Sequence, residues 1–335
     1  MPSVLLMRKK VKPLDYAELK DLQSLPLKYK VMITKQRIQE WYEHWDGQVY
    51  VSFSGGKDST VLLNIVRELY PDVPAVFVDT GLEYPEIRDF VKSIDNVVWL
   101  RPKMTFKRVI EKYGYPVVSK ETSERVYRLR HYNLSERVKK NYLEGDPERG
   151  FGPKLALRWR ILLDAPFGVN SYCCNVMKKE PIYRYEKETG RKPIIGTMAD
   201  ESRMRLQNYL EHGCNSFDSK RPRSIPLGFW TEQDVLQYLS VNNIPYATVY
   251  GEICGRGDQL ITTGVKRTGC MFCMFGVHME KEPNRFQRMQ ITHPKQWEYC
   301  MYQLGLKEVL EYIGVPWNND DEGLWATKDL IEMEY

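Results

Sequence analysis

Six residues, Ser54-Gly55-Gly56-Lys57-Asp58-Ser59, constrain this chain more than any other stretch. They lie between the apolar run Val49-Tyr50-Val51-Ser52-Phe53 and the segment Thr60-Val61-Leu62-Leu63-Asn64-Ile65-Val66. That order predicts a strand, a glycine turn and a helix N-terminus. Such a turn aims backbone N–H groups and the positive end of a helix dipole at one point, which suits an anion. Gly55 and Gly56 tolerate positive φ and let the backbone approach phosphate closely. Lys57 adds a positive charge, and Ser54 and Ser59 add hydroxyl donors. Asp58 is out of place beside an anion unless a divalent cation such as Mg²⁺ stands between them. The string is not a Walker-type P-loop, because Val51 stands where that motif needs its first Gly and Asp58 where it needs Ser or Thr. The competing reading is a plain glycine-rich strand–helix turn.

The neighbouring sequence alternates short strands and helices. A helix is expected over 28–46, with Ile33, Ile38, Trp41, Tyr42 and Trp45 on its apolar side, then the strand 49–53 and a helix to about Tyr70. Strands follow at Ala75–Asp79 and Val97–Leu100, with helices near Pro85–Ile94 and Phe106–Tyr113. A second strand–helix unit begins at Pro193-Ile194-Ile195-Gly196 and runs into a helix over Asp200–Leu210. Thr231, with Asp234 three residues on, is a near capping box for a helix over Glu232–Leu239. Pro294 suits N1 of a last long helix running to Ile313-Gly314. Its apolar positions, Trp297, Met301, Leu304 and Leu310, fit either the chain's own core or a second subunit. The expected class is α/β, a doubly wound parallel sheet. Ligands of such sheets sit at the carboxyl ends of the strands, where the glycine loop and Asp79-Thr80-Gly81 both fall. The expected organisation is an N-terminal helical extension (1–46), a nucleotide-binding α/β domain (47–250) with a basic helical insertion (120–160), and a loop-rich, Cys-containing and helical C-terminal region (251–335).

Composition narrows the class. The 335 residues are 42% hydrophobic and 28% charged, as in a globular protein. No apolar run approaches the ~20 residues that span a bilayer, and the first ten residues have the wrong order for a secretory signal. The expectation is a cytoplasmic protein with no membrane partner. Between Lys120 and Arg160 eleven Lys and Arg stand against six Asp and Glu, an excess equal to the net charge of +5 on the whole chain. Aromatics are interleaved with those cations, as a nucleic-acid platform requires. A solvated helical face or a site for a protein partner reads equally well.

Seven cysteines in such a chain are thiols or metal ligands. Cys173-Cys174 and Cys270-Met271-Phe272-Cys273 supply four thiolates, enough for a [4Fe–4S] cluster or one zinc ion. Adjacent cysteines suit the larger cluster better, and Lys266-Arg267-Thr268-Gly269 would offset its charge. Cys254, Cys270, Cys273 and Cys300 form a rival set suited to zinc, and packed, inert thiols are a third reading. Cys214 is a plain thiol or a persulfide carrier. None of the five histidines forms an H-x3-H or HExxH pattern.

With those elements placed, the Ser54–Ser59 string resembles the SGGxDS loop of the PP-loop ATP pyrophosphatases, which grip the pyrophosphate of ATP and transfer AMP. The chain as a whole resembles the phosphoadenosine phosphosulfate (PAPS) reductase family of that superfamily. The likeness rests on the loop, on Phe77-Val78-Asp79-Thr80-Gly81 with Tyr84-Pro85-Glu86, and on Cys173-Cys174 with Lys178 and Pro181. Gly196, Glu201-Ser202 and Arg205 continue it, followed by Pro226-Leu227, Trp230, Asp234-Val235 and Pro245-Tyr246. The Cys-Cys…Cys-x2-Cys spacing is similar to the cluster motif of the adenylylsulfate reductases. The resemblance implies an adenine nucleotide alpha hydrolase-like fold. It implies ATP on Ser54–Ser59 and Asp79–Gly81, Lys57 and Asp58 as catalytic groups, an anion site at Gly196, Glu201, Ser202 and Arg205, and the four cysteines as cluster ligands. Two departures weigh against a reductase. Met198 replaces an Arg of the family string, and no cysteine follows Cys300 to act as the reductases' nucleophile.

Three functions remain in play. The first is an ATP-dependent, adenylating sulfurtransferase acting on an acceptor such as a nucleic acid, supplied with sulfur by a donor protein such as a cysteine desulfurase. PP-loop relatives that act on tRNA or in DNA phosphorothioation supply the analogy. The second is a sulfonucleotide reductase that releases sulfite and depends on a thioredoxin-like reductant. The third is a non-catalytic subunit that senses ATP or redox state.

Overall fold

The computed structural model describes residues 15–145 and 154–319. Part of the basic stretch, 146–153, lies outside the described residues, as do the first fourteen residues and the tail from 320. Asp15 caps α1 (Tyr16–Ser24) with Glu18 completing the box, and α2 (Leu27–His44) follows. β1 (Val49–Ser52), α3 (Lys57–Leu69), β2 (Ala75–Val78), α4 (Pro85–Lys92), β3 (Val97–Leu100) and α5 (Phe106–Tyr113) then alternate as the sequence predicts. Next come β4 (Val117–Val118), α6 (Lys120–His131), α7 (Glu136–Glu144) and α8 (Glu180–Thr189). β5 (Lys192–Ile195), α9 (Arg203–His212), β6 (Asn215–Ser216), β7 (Arg223–Ser224) and α10 (Glu232–Val241) continue the chain. β8 (Ile253–Arg256), β9 (Gln259–Thr262), β10 (Met274–Phe275), α11 (Arg285–Thr292), α12 (Pro294–Glu298) and α13 (Leu306–Tyr312) complete it. No helix among the described residues is long and apolar enough to cross a membrane.

The chain divides into two interleaved units. The first holds residues up to Val78, Tyr84–Leu100 and Ile182–Thr268; the second holds Asp79–Glu83, Arg101–Pro181 and the chain from Gly269.

The first unit is built on a six-stranded sheet in the order β3-β2-β1-β5-β7-β6, parallel except for β6. β1 pairs with β2 on one side (Val51 beside Ala75) and with β5 on the other (Val51 beside Ile194). The chain runs outward through β2 and β3 and returns to β1's far side, so the glycine loop leaves the sheet at its switch point. That is the usual ligand position in such folds. Both faces of the strands are covered. Val49, Val51, Phe53, Ala75 and Phe77 join one core with Ile38, Trp41, Leu62, Ile65 and Trp230. Tyr50 and Val76 face the other way onto Tyr185, and the Tyr50 hydroxyl donates to Glu186 at 2.8 Å. A buried ion pair ties α2 to α10: Lys30 Nζ lies 2.8 and 2.7 Å from the two Asp234 oxygens. Asp234 also accepts from the Thr231 N–H and hydroxyl, so the capping box read from sequence carries a tertiary contact too. β6 and β7 are two residues each, too short for any periodicity, and were not expected.

Two helix expectations need correction. The helix expected over Asp200–Leu210 breaks at Ser202, which is extended and caps α9 by accepting from the Arg205 N–H. The long helix expected from Pro294 is interrupted. α12 passes into a π-turn at Tyr299–Gln303, Gly305 takes φ +70°, and α13 starts afresh. The Tyr115 hydroxyl binds the Leu304 carbonyl at 2.8 Å, taking an acceptor that a continuing helix would use. Trp297, Met301, Leu304 and Leu310 are all buried inside the second unit, which decides between the two fates open to them.

Candidate functional site

The loop after β1 is closed by its own serines. Ser59 Oγ donates to the Gly56 carbonyl at 2.9 Å and accepts from Ser54 N at 3.2 Å. Gly56 N donates to Ser54 Oγ at 3.3 Å. Gly55 has φ +73°, and a Cβ there would come within 2.8 Å of methyl groups of Ile87 and Val91. At the end of β5, a Cβ on Gly196 would stand 3.1 Å from the Asp58 carbonyl oxygen and 3.2 Å from Ser59 Cα. Gly196 thus lets the chain pass against the first turn of α3, a packing role beside the anion-site role expected from sequence.

Lys57 is buried, at 5% exposure, and its ammonium is already occupied. It pairs with the carboxylate of Glu232, the first residue of α10, and donates to the Lys266 carbonyl at 3.1 Å. The Tyr250 ring lies beneath it at 5.5 Å, and the Tyr250 hydroxyl accepts from Lys57 N at 3.4 Å. That hydroxyl also shares a 2.6 Å bond with Thr268. Burial pushes the Tyr250 phenol up to about 12, so it stays neutral. Asp58 Oδ1 is buried with no hydrogen-bond partner among the described residues. Burial raises the Asp58 carboxyl against the pull of Lys57; Glu232 adds to the rise, and Arg267 and Arg205 oppose it. An acceptor-only oxygen left without a donor is the ligand a hard cation takes, so the residues fit Mg²⁺.

Of the expected anion site, Glu201 accepts from the Met198 N–H at 2.9 Å and pairs with Arg205, which it positions. Ser202 is the cap of α9. Met198, where the family string carries Arg, is 4% exposed and packs in the core. Asp79, Thr80 and Gly81 leave the carboxyl end of β2 and belong to the second unit. There Thr80 donates through N and Oγ1 to Glu83, at 3.0 and 2.6 Å, and Arg101 Nε stands 3.8 Å from Asp79.

In the second unit Cys173, Cys174, Cys270 and Cys273 line one cavity of about 340 Å³, part of it open to solvent. Leu82, Phe106, Pro116, Met177 and Phe272 form its apolar walls, with Lys178 among them. Backbone bonds hold the C-x2-C turn. Cys273 N donates to the Cys270 carbonyl at 3.1 Å, Met271 N to the Leu82 carbonyl at 2.8 Å, and β10 pairs with β4 immediately after. The Cys173 thiol faces Cys174 at 4.0 Å. That hydrogen bond, helped by Lys120, Lys178 and Lys179, lowers Cys174 to about 6 and raises Cys173. Burial pushes Cys270 up to about 11 although Lys178 opposes it, and also raises Cys273. Burial disfavours charge on Lys178, but Cys270, Glu83 and Cys174 outweigh it and hold the ammonium protonated.

Among the described residues no group of three or more His, Cys, Asp or Glu is set to hold a metal ion. One zinc ion needs every sulfur within about 2.3 Å of a common centre, whereas a four-iron cluster spreads four thiolates around a larger body. The number and chemistry of the donors fit the cluster. The rival zinc set is not assembled in this cavity. Cys254 lies on β8 in the first unit, and Cys300 is buried with its thiol on the Trp297 carbonyl at 3.3 Å. Cys214 is buried beside the Tyr209 hydroxyl at 3.6 Å, and burial raises its thiol, which suits packing better than sulfur carriage. The Lys266 carbonyl, Arg267 and Thr268 act on the loop, through Lys57, Asp58 and Tyr250, and Lys120, Lys178 and Lys179 act on the Cys174 thiol.

Sequence reasoning missed Glu232, Tyr250 and Glu83. Glu232 carried a signal, since it directly follows the cap Thr231 at a helix N-terminus. Tyr250 had none.

The model of the phosphoadenosine phosphosulfate reductase domain matches residues 48–142 and 120–274. An uncharacterised protein of Methanocaldococcus jannaschii is 26% identical over 297 residues, which are 87% of this chain and 48% of that protein. The chain thus spans about half the length of this relative. The phosphoadenosine 5'-phosphosulfate reductase of Xanthomonas euvesicatoria is 25% identical over 228 residues, 68% of this chain and 76% of the reductase. Among solved structures, the U34-tRNA thiolase of Methanococcus maripaludis with its [4Fe–4S] cluster aligns over 85% of this chain and 80% of its own, at 16% identity. Its TM-score of 0.34 is too low to bear on function.

Proposed function

The chain belongs to the phosphoadenosine phosphosulfate reductase family, and from that premise we propose that it is an adenylating PP-loop enzyme that uses ATP to replace an acceptor oxygen with sulfur. The observation that carries the reading is the pairing, on one glycine loop, of the buried Lys57 ammonium with the unpartnered Asp58 Oδ1. A triphosphate with its cation calls for both groups. The phosphates lie on the N–H groups of Gly55 and Gly56 and the hydroxyls of Ser54 and Ser59. An amide-type carbonyl oxygen of the acceptor attacks the α-phosphorus, and pyrophosphate leaves with the electron pair of the broken P–O bond. Lys57, released from Glu232, offsets the charge that grows on the pyrophosphate. Sulfide or a sulfide equivalent then adds to the activated carbon, and AMP leaves with the acceptor oxygen.

Mg²⁺ would be held by Asp58 and would neutralise phosphate charge. A [4Fe–4S] cluster would be held by Cys173, Cys174, Cys270 and Cys273 and would supply redox or sulfur-handling iron. The acceptor we favour is a nucleic acid. In the basic segment Arg125, Lys139 and Lys140 are paired with Glu121, Glu136 and Glu144, and Arg130 binds the Phe167 and Ala165 carbonyls. Arg128, Arg137, Lys154 and Arg158 are exposed and are the cations offered to phosphates.

A second reading, sulfonucleotide reduction, is favoured by the name of the Xanthomonas relative. It is opposed by the buried, uncharged Met198. The test is anaerobic turnover of α-labelled ATP with RNA or DNA added, alongside sulfite release from adenylylsulfate and from PAPS. AMP formation stimulated by nucleic acid and lost in Lys57→Met supports the proposal. Sulfite release without ATP supports the reductase. ATP binding with neither product points to a sensing subunit.

A further inference from the structure

A phosphate that takes up the Lys57 ammonium competes with the Glu232 carboxylate for its charge and its donors. That ammonium is buried; among the described residues its hydrogen bonds go to the Glu232 carboxylate and the Lys266 carbonyl, and it lies against the face of Tyr250. The carbonyl is backbone, and the Tyr250 ring is buried with its hydroxyl bonded to Thr268. Glu232 differs: its side chain is 55% exposed, while the Lys57 side chain is 6% exposed. The backbone beneath Glu232 is anchored. Thr231 caps α10, and Asp234 is locked to the buried Lys30 by bonds of 2.8 and 2.7 Å. The carboxylate is therefore a mobile group on a rigid mount, and it can swing into solvent at little cost.

We propose that Glu232 is a displaceable latch on the phosphate loop, holding Lys57 when no anion is bound and released when a ligand phosphate takes the ammonium. This rests on the reading that the loop binds phosphate. A latch lowers the fraction of binding-competent protein, so it weakens every ligand that engages Lys57 by one common factor. A ligand that does not reach Lys57 is not affected. Glu232 thereby sets how much the loop favours phosphate-bearing ligands over the bare nucleoside.

The experiment measures binding of inorganic pyrophosphate and of adenosine to the full chain by calorimetry, for the wild type, Glu232→Gln, Glu232→Asp and Lys57→Met. The latch predicts roughly three- to tenfold tighter pyrophosphate binding in Glu232→Gln, the size expected for a part-exposed ion pair. Glu232→Asp must tighten it too, because the shorter acid keeps the charge but draws back from Lys57. Adenosine affinity stays constant across the Glu232 variants. Tightening in Glu232→Gln alone indicates general repulsion and overturns the latch. Unchanged or weaker pyrophosphate binding in both variants, with binding still lost in Lys57→Met, also overturns it but leaves the phosphate loop standing. Wild-type binding no better than that of Lys57→Met overturns the phosphate reading, and the latch with it. Both Glu232 substitutions are at a half-exposed side chain, and a melting curve for each establishes that it folds.

Discussion

At the glycine loop a buried ammonium is balanced by one half-exposed carboxylate, and a neighbouring carboxylate oxygen has no hydrogen-bond partner among the described residues. At the thiol cavity the Lys178 side chain, exposed to solvent over part of its length, joins four cysteines along largely apolar walls. Both sites use a lysine, buried at the loop and exposed at the cavity, and they arrange charge in opposite ways. The loop sets the Asp58 and Glu232 carboxylates beside the Lys57 ammonium, with Arg267 and Arg205 acting on Asp58. The cavity holds its lysine charged by the acids and thiols around it, and it divides proton affinity between adjacent cysteines. On the proposed function, the loop takes a highly charged guest that enters and leaves, and the cavity takes one that neutralises thiolates and stays, since sulfur ligands bind metals only once deprotonated.

The contrast breaks most sharply if the cysteines are removed. Replacing Cys270 and Cys273 together with alanine is expected to reduce bound iron and the broad absorption near ~400 nm to background. Pyrophosphate affinity at the loop should stay within twofold. Iron that persists at the wild-type level removes these residues from the ligand set. The reciprocal change, Lys57→Met, is expected to slow AMP formation by about 10²–10³-fold, the usual cost of one group that stabilises developing charge. Iron content should not move. A Lys57→Met protein that still forms AMP at the wild-type rate would place phosphoryl chemistry elsewhere.

A third substitution tests the mount of the loop site. Lys30→Met leaves Asp234 buried without its cation, and breaking such a pair costs about 3–5 kcal/mol. The expected readout is a marked fall in melting temperature together with weaker pyrophosphate binding, because Asp234 orders the N-terminus that carries Glu232. Retained affinity in a destabilised protein would mean that the pair supports the fold and not the site.

How legible the two sites are in sequence follows from how each is assembled. The loop is contiguous. Strand, glycines, lysine and helix start are adjacent in the chain, so Ser54–Ser59 and its place at the end of β1 could be read directly, as could the alternation through Phe106–Tyr113. The cavity joins two segments about 100 residues apart, and spacing alone left three outcomes open for its cysteines. The β4–β10 pairing and the bond from Met271 to Leu82, both tertiary, help hold the C-x2-C turn in the wall it shares with the other thiols. Tyr250 on Lys57 is likewise a tertiary fact with no local signature. The misread helices have causes that hydrophobic periodicity does not detect, one local and one tertiary: an extended serine cap at Ser202, and the distant Tyr115 hydroxyl that takes the Leu304 carbonyl.

The smallest expected effects come from two glycines, and they separate the packing role of Gly196 from the anion-site role expected of it. Gly55→Ala meets two penalties, a side chain at φ +73° and a Cβ 2.8 Å from the methyls of Ile87 and Val91. Gly196→Ala meets one, a Cβ 3.1 Å from the Asp58 carbonyl oxygen. Overpacking of this kind costs about 1–3 kcal/mol, so both proteins should melt lower, Gly55→Ala the more so. If Gly196 serves by letting α3 approach, its alanine variant loses stability and pyrophosphate affinity together, because the added methyl pushes on the turn that carries Asp58. If Gly196 instead contacts the anion through its own backbone, affinity falls while the melting temperature holds. Measuring both quantities on the same preparation separates the two, and iron content, expected to be constant in each, reports whether the disturbance stays within the first unit.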